Sequence, residues 1–299
     1  MSESTGGAAT PREAFERLLG ELRPKLHRHC ARMTGSAIDG EDVVQEALVK
    51  ALEGFAATAS ISYPEGWVFR IAHNAALDFL RRRTRQDAAR SDEDPEMIVD
   101  PVAVAEDRQI AAASLRTFMR LPVAQRGSVI LMDVLGYSLQ EIGGVMASSI
   151  PAVKAALHRG RARLRELAQE PDDHPLPVLA GPDRALLAAY VDRFNARDFD
   201  TIRNMLADEV RLDLIARAQR NGRHEVGSYF TNYGAVTDWH LVAGLVDVRP
   251  AAIVRDPQEP GTAPTYFILL QWTGDRLVAI RDFRFARYAT EGAEIVILG

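Results

Sequence analysis

Apolar periodicity stops twice in this chain, and the two stops limit what it can fold into. Residues 86–107 read QDAARSDEDPEMIVDPVAVAED, acidic, with Pro95 and Pro101 and no sustained apolar repeat; such text is a linker. Residues 170–182, EPDDHPLPVLAGP, hold four prolines and a glycine. A chain of 299 residues exceeds one typical core. The stops therefore predict a multi-domain protein with modules at 10–85, 112–168 and 183–299, joined by linkers at 86–111 and 169–182. In the first two modules glycine and proline fall at the edges of periodic apolar segments, which predicts two all-α domains. The third opens with helices at about 183–196 and 199–207. It then turns to β-rich text at Val210–Ile215, His240–Val248, Thr265–Trp272 and Arg276–Phe285, an α+β pattern.

Charge is placed unevenly. The whole chain carries a formal −5, which argues against a bulk nucleic-acid coat. Yet from Arg116 to Arg165 eight basic residues face only Asp133 and Glu141. A local basic surface is what phosphate neutralisation requires, whatever the global sign. Cys30 is the single cysteine. No internal disulfide or four-cysteine zinc site is possible, and neither a metal nor a cofactor is expected; a reducing, cytoplasmic setting fits. No apolar run approaches the roughly 18 residues of a membrane span. Met1 to Thr10 lack the basic start and apolar stretch of a secretory signal, so none is expected.

In the first module, Asp39 is the expected N-cap of a helix DGEDVVQEALVKALEG, with Asp42 near the favourable end of its dipole. Val44, Leu48 and Ala51 form an apolar stripe; Asp42, Gln45, Glu46 and Glu53 lie on the other face. A loop from Gly54 to Pro64 leads to the helix GWVFRIAHNAALDFLRRRTR. There Val68, Ile71, Ala75 and Phe79 make a buried seam, and Arg70, Asn74, Asp78, Arg81 and Arg85 make a polar one. Taken alone, the same text also fits an ordinary amphipathic pair.

In the second module, Ser138 and Glu141 have the spacing of a capping box. Ser148 or Ser149 can cap the last helix, and Pro151 is tolerated in its first turn. Val153, Leu157, Gly160 and Leu164 face inward; Lys154, His158, Arg161 and Arg165 repeat one residue along, facing out. A helix of this kind fits the DNA major groove, although a helical hairpin without a DNA role gives similar text.

The order DxEDVVQEAL, an aromatic-containing loop, then W-x-x-R-I-A-x-N-x-A-x-D-x-L-R-R-R resembles region 2 of extracytoplasmic-function (ECF) sigma factors of the sigma-70 family. LP-x-x-QR, G-x-S-x-x-EI and AV-x-x-x-L-x-R-x-R-x-x-L resemble their region 4, a helix-turn-helix. Together the resemblance covers about residues 12–168. Gly143-Gly144 and Ile150-Pro151 depart from the family's usual text. The resemblance implies an alternative sigma factor that binds RNA polymerase core through its β′ and β subunits and directs initiation at promoter DNA. Asp42, Gln45 and Glu46 would bind core. Asn74, Asp78, Arg81 and Arg82 would face the −10 element, with loop residues Phe55 to Tyr63 near a base flipped from the melted strand. Ser149, Lys154, His158, Arg159 and Arg161 would read the −35 element. Opened strands call for stacking surfaces and a positive track rather than a catalytic group.

The third module resembles a SnoaL-like member of the nuclear-transport-factor-2 (NTF2-like) superfamily, whose cone often encloses a pocket. Candidate pocket residues are Tyr190, Asp213, Trp239 and Asp282, with His240 and Arg284 beside them. No pair has a catalytic spacing, so an enzyme is not expected, and fold alone does not imply function. The resemblance implies a regulatory extension that contacts the sigma modules. Two other readings compete: a one-component regulator that responds to a ligand, which leaves residues 39–85 unexplained, and a SnoaL-like enzyme with a fused targeting module.

Overall fold

A computed structural model describes residues 10–57, 61–88, 113–170, 179–259 and 261–298. Most of the acidic linker, residues 171–178 of the proline-rich stretch, 58–60 of the first loop and the first nine residues lie outside these. The chain divides into two compact units, Met1–Pro171 and Asp172–Gly299.

The described part of the first unit is helical: α1 (Pro11–Thr34), α2 (Ala37–Ala57), α3 (Pro64–Ala88), α4 (Leu115–Met119), α5 (Val123–Val129), α6 (Leu139–Met146) and α7 (Ile150–Leu167). Thr10 and Glu13 close a capping box on α1, and Gly35, at φ 79°, ends it. The Ser36 hydroxyl then accepts from the Asp39 backbone N–H at 3.1 Å. Asp39 is therefore inside the first turn of α2 and not its N-cap, because the tight αL exit from α1 starts the next helix two residues earlier. A Cβ at Gly40 would lie 2.5 Å from the Ala31 backbone, so glycine lets α1 and α2 touch there. Helix α2 also runs past Gly54 to Ala57, through residues expected as loop. Phe55 stacks on Phe15 at 4.2 Å and holds that last turn down.

Helix α5 passes into a π-turn at Ile130–Val134, which ends at Gly136 with φ 74°. Ser138 and Glu141 form the expected capping box on α6, and Ser149 caps α7 with Pro151 in its first turn. A Cβ on Gly160 would sit 2.8 Å from Val129, so α7 crosses the α5 end at van der Waals distance. Residues of both helical modules enter one apolar core: Leu26 and Met33 of α1 and Phe69 and Ala76 of α3 share it with Phe118, Ile130, Tyr137, Ile142 and Leu157.

The second unit contains α8 (Gly181–Asn195), α9 (Phe199–Met205), β1 (Leu206–Leu214), β2 (Ala218–Asn221), α10 (Arg223–Gly234), β3 (His240–Val246), β4 (Arg249–Arg255), β5 (Tyr266–Thr273), β6 (Arg276–Asp282) and β7 (Ile295–Ile297). The sheet order is β2-β1-β6-β5-β4-β3-β7. Only β1 and β6 pair in parallel; the other neighbours are antiparallel. Irregular register in β1 and β5 bends the sheet. Leu187, Tyr190, Val191 and Phe194 of α8 and Val226, Tyr229, Phe230 and Tyr233 of α10 are buried in its core. The stretch expected as one strand from His240 to Val248 turns at Asp247 and Val248, both at positive φ, and returns as β4.

No helix among the described residues is long and apolar enough to cross a membrane. No cluster of three or more histidine, cysteine, aspartate or glutamate side chains suited to a metal occurs among them.

Candidate nucleic-acid interface

Helix α2 buries Val43, Val44, Ala47, Leu48 and Ala51 against α1 and α3 and leaves Asp42 and Gln45 exposed, with Glu46 half-buried. The period of 3.6 dictates this split. Gln45 accepts from Arg23 at 2.8 Å, and the same guanidinium is paired with Glu41, whose side chain is only 1% exposed. That buried pair was not legible in advance, because Glu41 stands in a polar run with Asp39 and Asp42. Glu46 accepts from Lys50 at 2.7 Å and from Arg82 at 2.9 Å. Partial burial would raise its carboxyl pKa, but these two bonds outweigh it and hold the group below the usual range.

On α3, Val68, Phe69, Ala72, Ala75 and Ala76 are buried, while Arg70, Asn74, Asp78, Arg81 and Arg85 are all exposed. Asp78 pairs with Arg81 at 2.9 Å. The geometry thus joins residues that the sequence had assigned to different partners, since Arg82 of the DNA set grips Glu46 of the core set. Exposed pairs of this kind contribute little and exchange readily for another anion or cation. In the loop before α3, Tyr63 is 46% exposed, and its hydroxyl donates to Glu141 at 2.9 Å. Phe55 is partly buried, with one face stacked on Phe15.

Helix α7 presents Lys154, His158 and Arg159 to solvent, with Ser149 accepting from the Ala152 N–H at 3.4 Å. Arg161 is placed differently. Its Nε donates to Asp133 at 2.9 Å, and a second nitrogen bonds the other carboxylate oxygen. Asp133 is buried at 1% side-chain exposure. Lys154, His158, Arg161 and Arg165 rim a groove of about 260 Å³ floored by Met132, Leu139 and Leu157.

In the second unit, Tyr190, Trp239 and Asp282 are buried together, whereas Asp213 is not with them. Residues aligned across a parallel pair share a face: Leu214 aligns with Asp282 and Asp213 with Arg281. Asp213 therefore points to the opposite face, where it lies 3.9 Å from Arg281. Asp282 accepts from Tyr229 at 3.0 Å, Tyr233 at 2.8 Å and the Arg284 backbone N–H at 2.8 Å. Complete burial nonetheless raises its pKa. Burial and the nearby Asp282 push the Tyr190 hydroxyl well up as well. Arg284 ties Tyr266 at 2.7 Å to Asp238 at 2.6 Å. The tyrosines that complete this network were not singled out by sequence, since α10 itself was unrecognised.

The family model for sigma-70 region 2 matches residues 18–86, and that for sigma-70 region 4 matches residues 115–164. The ECF RNA polymerase sigma factor SigG of Mycobacterium tuberculosis is 31% identical over 219 residues, covering 62% of this chain and 57% of the relative. The chain thus spans little more than half of that relative's length. SigM of the same species is 33% identical over 159 residues, covering 53% of this chain and 79% of SigM. Among solved structures, an NTF2-like protein from Cytophaga hutchinsonii aligns with 33% of this chain and 95% of its own at a TM-score of 0.25 and 15% identity. By its two region matches and its identity to SigM across most of that protein, the chain belongs to the ECF sigma factors of the sigma-70 family.

Proposed function

We propose that the protein is an alternative sigma factor: it binds RNA polymerase core, recognises −10 and −35 promoter elements and carries no catalysis of its own. The observation that carries this reading is a pair of exposed polar faces, on α3 and α7, within one helical unit beside an acidic α2. Asn74, Asp78, Arg81 and Arg82 are available to melted DNA. Ser149, Lys154, His158 and Arg159 are available to a major groove, where a capped helix start meets bases and cations meet phosphates. Asp42, Gln45 and Glu46 offer an anionic surface to the polymerase β′ subunit. Arg161 acts through Asp133, as a brace for the recognition helix.

The C-terminal unit is assigned a regulatory role. Its Asp282 is enclosed by two tyrosine hydroxyls and a backbone N–H, and the support for regulation is the sigma reading of the first unit to which it is joined. Reconstitution with core polymerase on promoter templates tests the proposal. Core binding that yields no promoter-directed transcript would defeat it.

A further inference from the structure

The second unit holds a cluster of arginines apart from the Asp282 network. Helix α10 carries Arg223, Gly227 and Thr231 at spacings of four, so they share one face, with His224 and Ser228 beside them. Arg203 of α9 lies against that face. Its Nε donates to the Gly227 carbonyl at 3.2 Å, and one terminal nitrogen reaches the Thr231 hydroxyl at 3.3 Å. One terminal nitrogen of Arg223 donates to both the Asn204 and Leu206 carbonyls, at 3.2 and 2.8 Å. Arg276 donates to the same Asn204 carbonyl at 2.6 Å, and Arg220 to the Ser228 hydroxyl at 2.6 Å. Arg203, Arg223, His224, Ser228 and Thr231 line an open groove of about 630 Å³.

Carbonyl anchoring fixes these guanidiniums without cancelling their charge, because a carbonyl is a dipole and not an anion. The carboxylates at the groove are loose partners. Asp200 bonds Arg203 at 2.7 Å and Asp208 stands 3.6 Å from the second terminal nitrogen of Arg223, and each carboxylate is 93% exposed. Water screens such pairs, so a better anion displaces them. Arginine's planar fork matches phosphate oxygens with two parallel bonds. The groove has the volume of a small-molecule site, which leaves room for an organic body beside one phosphate. The unit as a whole is anionic: residues 172–299 carry 14 arginines and no lysine against 18 aspartates and glutamates, a net −4. That field opposes a polyanion such as duplex DNA far more than a single small dianion.

We propose that the groove between α9 and α10 binds a phosphomonoester. Its phosphate displaces Asp200 and takes the two terminal nitrogens of Arg203, while Arg223 supplies the nitrogen that faces Asp208. The hydroxyls of Ser228 and Thr231 and the His224 imidazole are left to meet the organic part. The site lies in the second unit, outside the faces assigned to polymerase and promoter, and it does not rest on the sigma reading.

The test titrates the full chain with phenyl phosphate at pH 7.5 and constant ionic strength, followed by amide NMR shifts. Saturable binding with a Kd of about 1 mM is expected, and inorganic phosphate should bind about tenfold more weakly. Arg203→Ala should weaken phenyl phosphate by about tenfold or more, and Arg203→Lys should restore only part, since an ammonium keeps the charge and loses the fork. Arg217→Ala, whose guanidinium lies over Phe285 instead, should change nothing. Asp200→Asn removes the competing carboxylate at an exposed position, where the fold tolerates it, and should tighten binding by about threefold. Circular dichroism checks that each variant is folded. Phenyl phosphate that never saturates, or that binds Arg203→Ala as well as the parent, overturns the site, and so does an Asp200→Asn protein that binds no tighter. Inorganic phosphate binding as tightly as phenyl phosphate overturns the phosphomonoester. A short DNA duplex that displaces phenyl phosphate from the parent, and binds Arg203→Ala more weakly, would make the groove a nucleic-acid contact and overturn the small ligand.

Discussion

Arg161 on α7 grips Asp133 with two nitrogens, Nε standing 2.9 Å from Oδ2, so a residue patterned like a DNA contact is bound into the protein. Breaking a buried pair by removing one partner leaves a desolvated charge. Arg161 is 35% exposed, which reduces that penalty. Asp133→Ala is expected to cost about 2 kcal/mol and to lower the melting temperature by about 5 °C. Arg161→Ala leaves the Asp133 carboxylate, 1% exposed, without this guanidinium and should cost more, about 3 kcal/mol. Lys154→Ala, at an exposed site, should leave melting unchanged, weaken promoter binding by the holoenzyme and reduce its salt dependence by about one counterion. Melting curves beside salt titrations separate the two roles. An Arg161→Ala protein as stable as the parent but deficient in promoter binding would restore Arg161 to the DNA-contact set.

The anionic face of α2 is the second point of attack. Asp42 is exposed and Glu46 half-exposed, so Asp42→Arg with Glu46→Arg should change unfolding free energy by no more than about 1 kcal/mol. Against a cationic polymerase surface the reversed charges should weaken core binding by about a hundredfold. Native gel shift or fluorescence anisotropy with core enzyme reads this. A protein that keeps its polymerase affinity would remove α2 from the interface.

Acid is expected to loosen the helical unit through two buried histidines. His73 and His29 lie 3.3 Å apart, and burial draws His73 down to about 4. Burial, then the neighbouring His73, lowers His29 well below its usual value. Unfolded, each would titrate near 6.5. Between those values the unfolded chain binds more protons, so stability falls as pH drops through that window. For His73 alone the full loss is about 3 kcal/mol, with about 2 kcal/mol gone by pH 5. Glu65 acts lower on the scale: burial raises it, but the bonds from Lys25 and Tyr137 outweigh this and hold it below the usual carboxylate range. Urea unfolding at pH 7.5 and pH 5 measures the slope, and His73→Gln should flatten it. A parent protein equally stable at both pH values would show that the imidazoles gain their protons without penalty.

What could be read from the sequence follows from period and caps. The apolar stripe of α2, the exposed arginine face of α3, the Ser138–Glu141 box and the two faces of α7 all result from spacing within a single helix. What could not be read needs partners distant in the chain. Asp133 meets Arg161 across 28 residues, and Glu46 meets Arg82 across 36; the sequence assigned the members of each pair without reference to one another. Helix α10 was not expected: Gly227 and the aromatic Tyr229, Phe230 and Tyr233 are weak helix formers, and burial of that aromatic face decides its form. Asp213 was grouped with Asp282 by residue type, whereas strand register sends the two to opposite faces.

Asp282→Ala removes the common acceptor of two hydroxyls, Tyr229 and Tyr233, buried at 3% exposure each. Tyr233 keeps the Tyr266 hydroxyl at 3.1 Å, whereas Tyr229 loses its partner. A buried hydroxyl left without one costs about 1–3 kcal/mol, so the second unit should lose about 2 kcal/mol and melt roughly 8 °C lower. The first unit has its own core, and its transition should stay in place. If the C-terminal unit regulates, then Asp282→Ala at a temperature where that unit is unfolded should act like deletion of residues 172–299. Transcription output changes in the same direction in both, while the preferred promoter sequence stays that of the parent, because the faces of α3 and α7 are untouched. Selection of promoters from a randomised template pool measures the preference directly. A consensus shifted alike in both altered proteins would mean that the C-terminal unit takes part in reading DNA, and the regulatory assignment would be withdrawn.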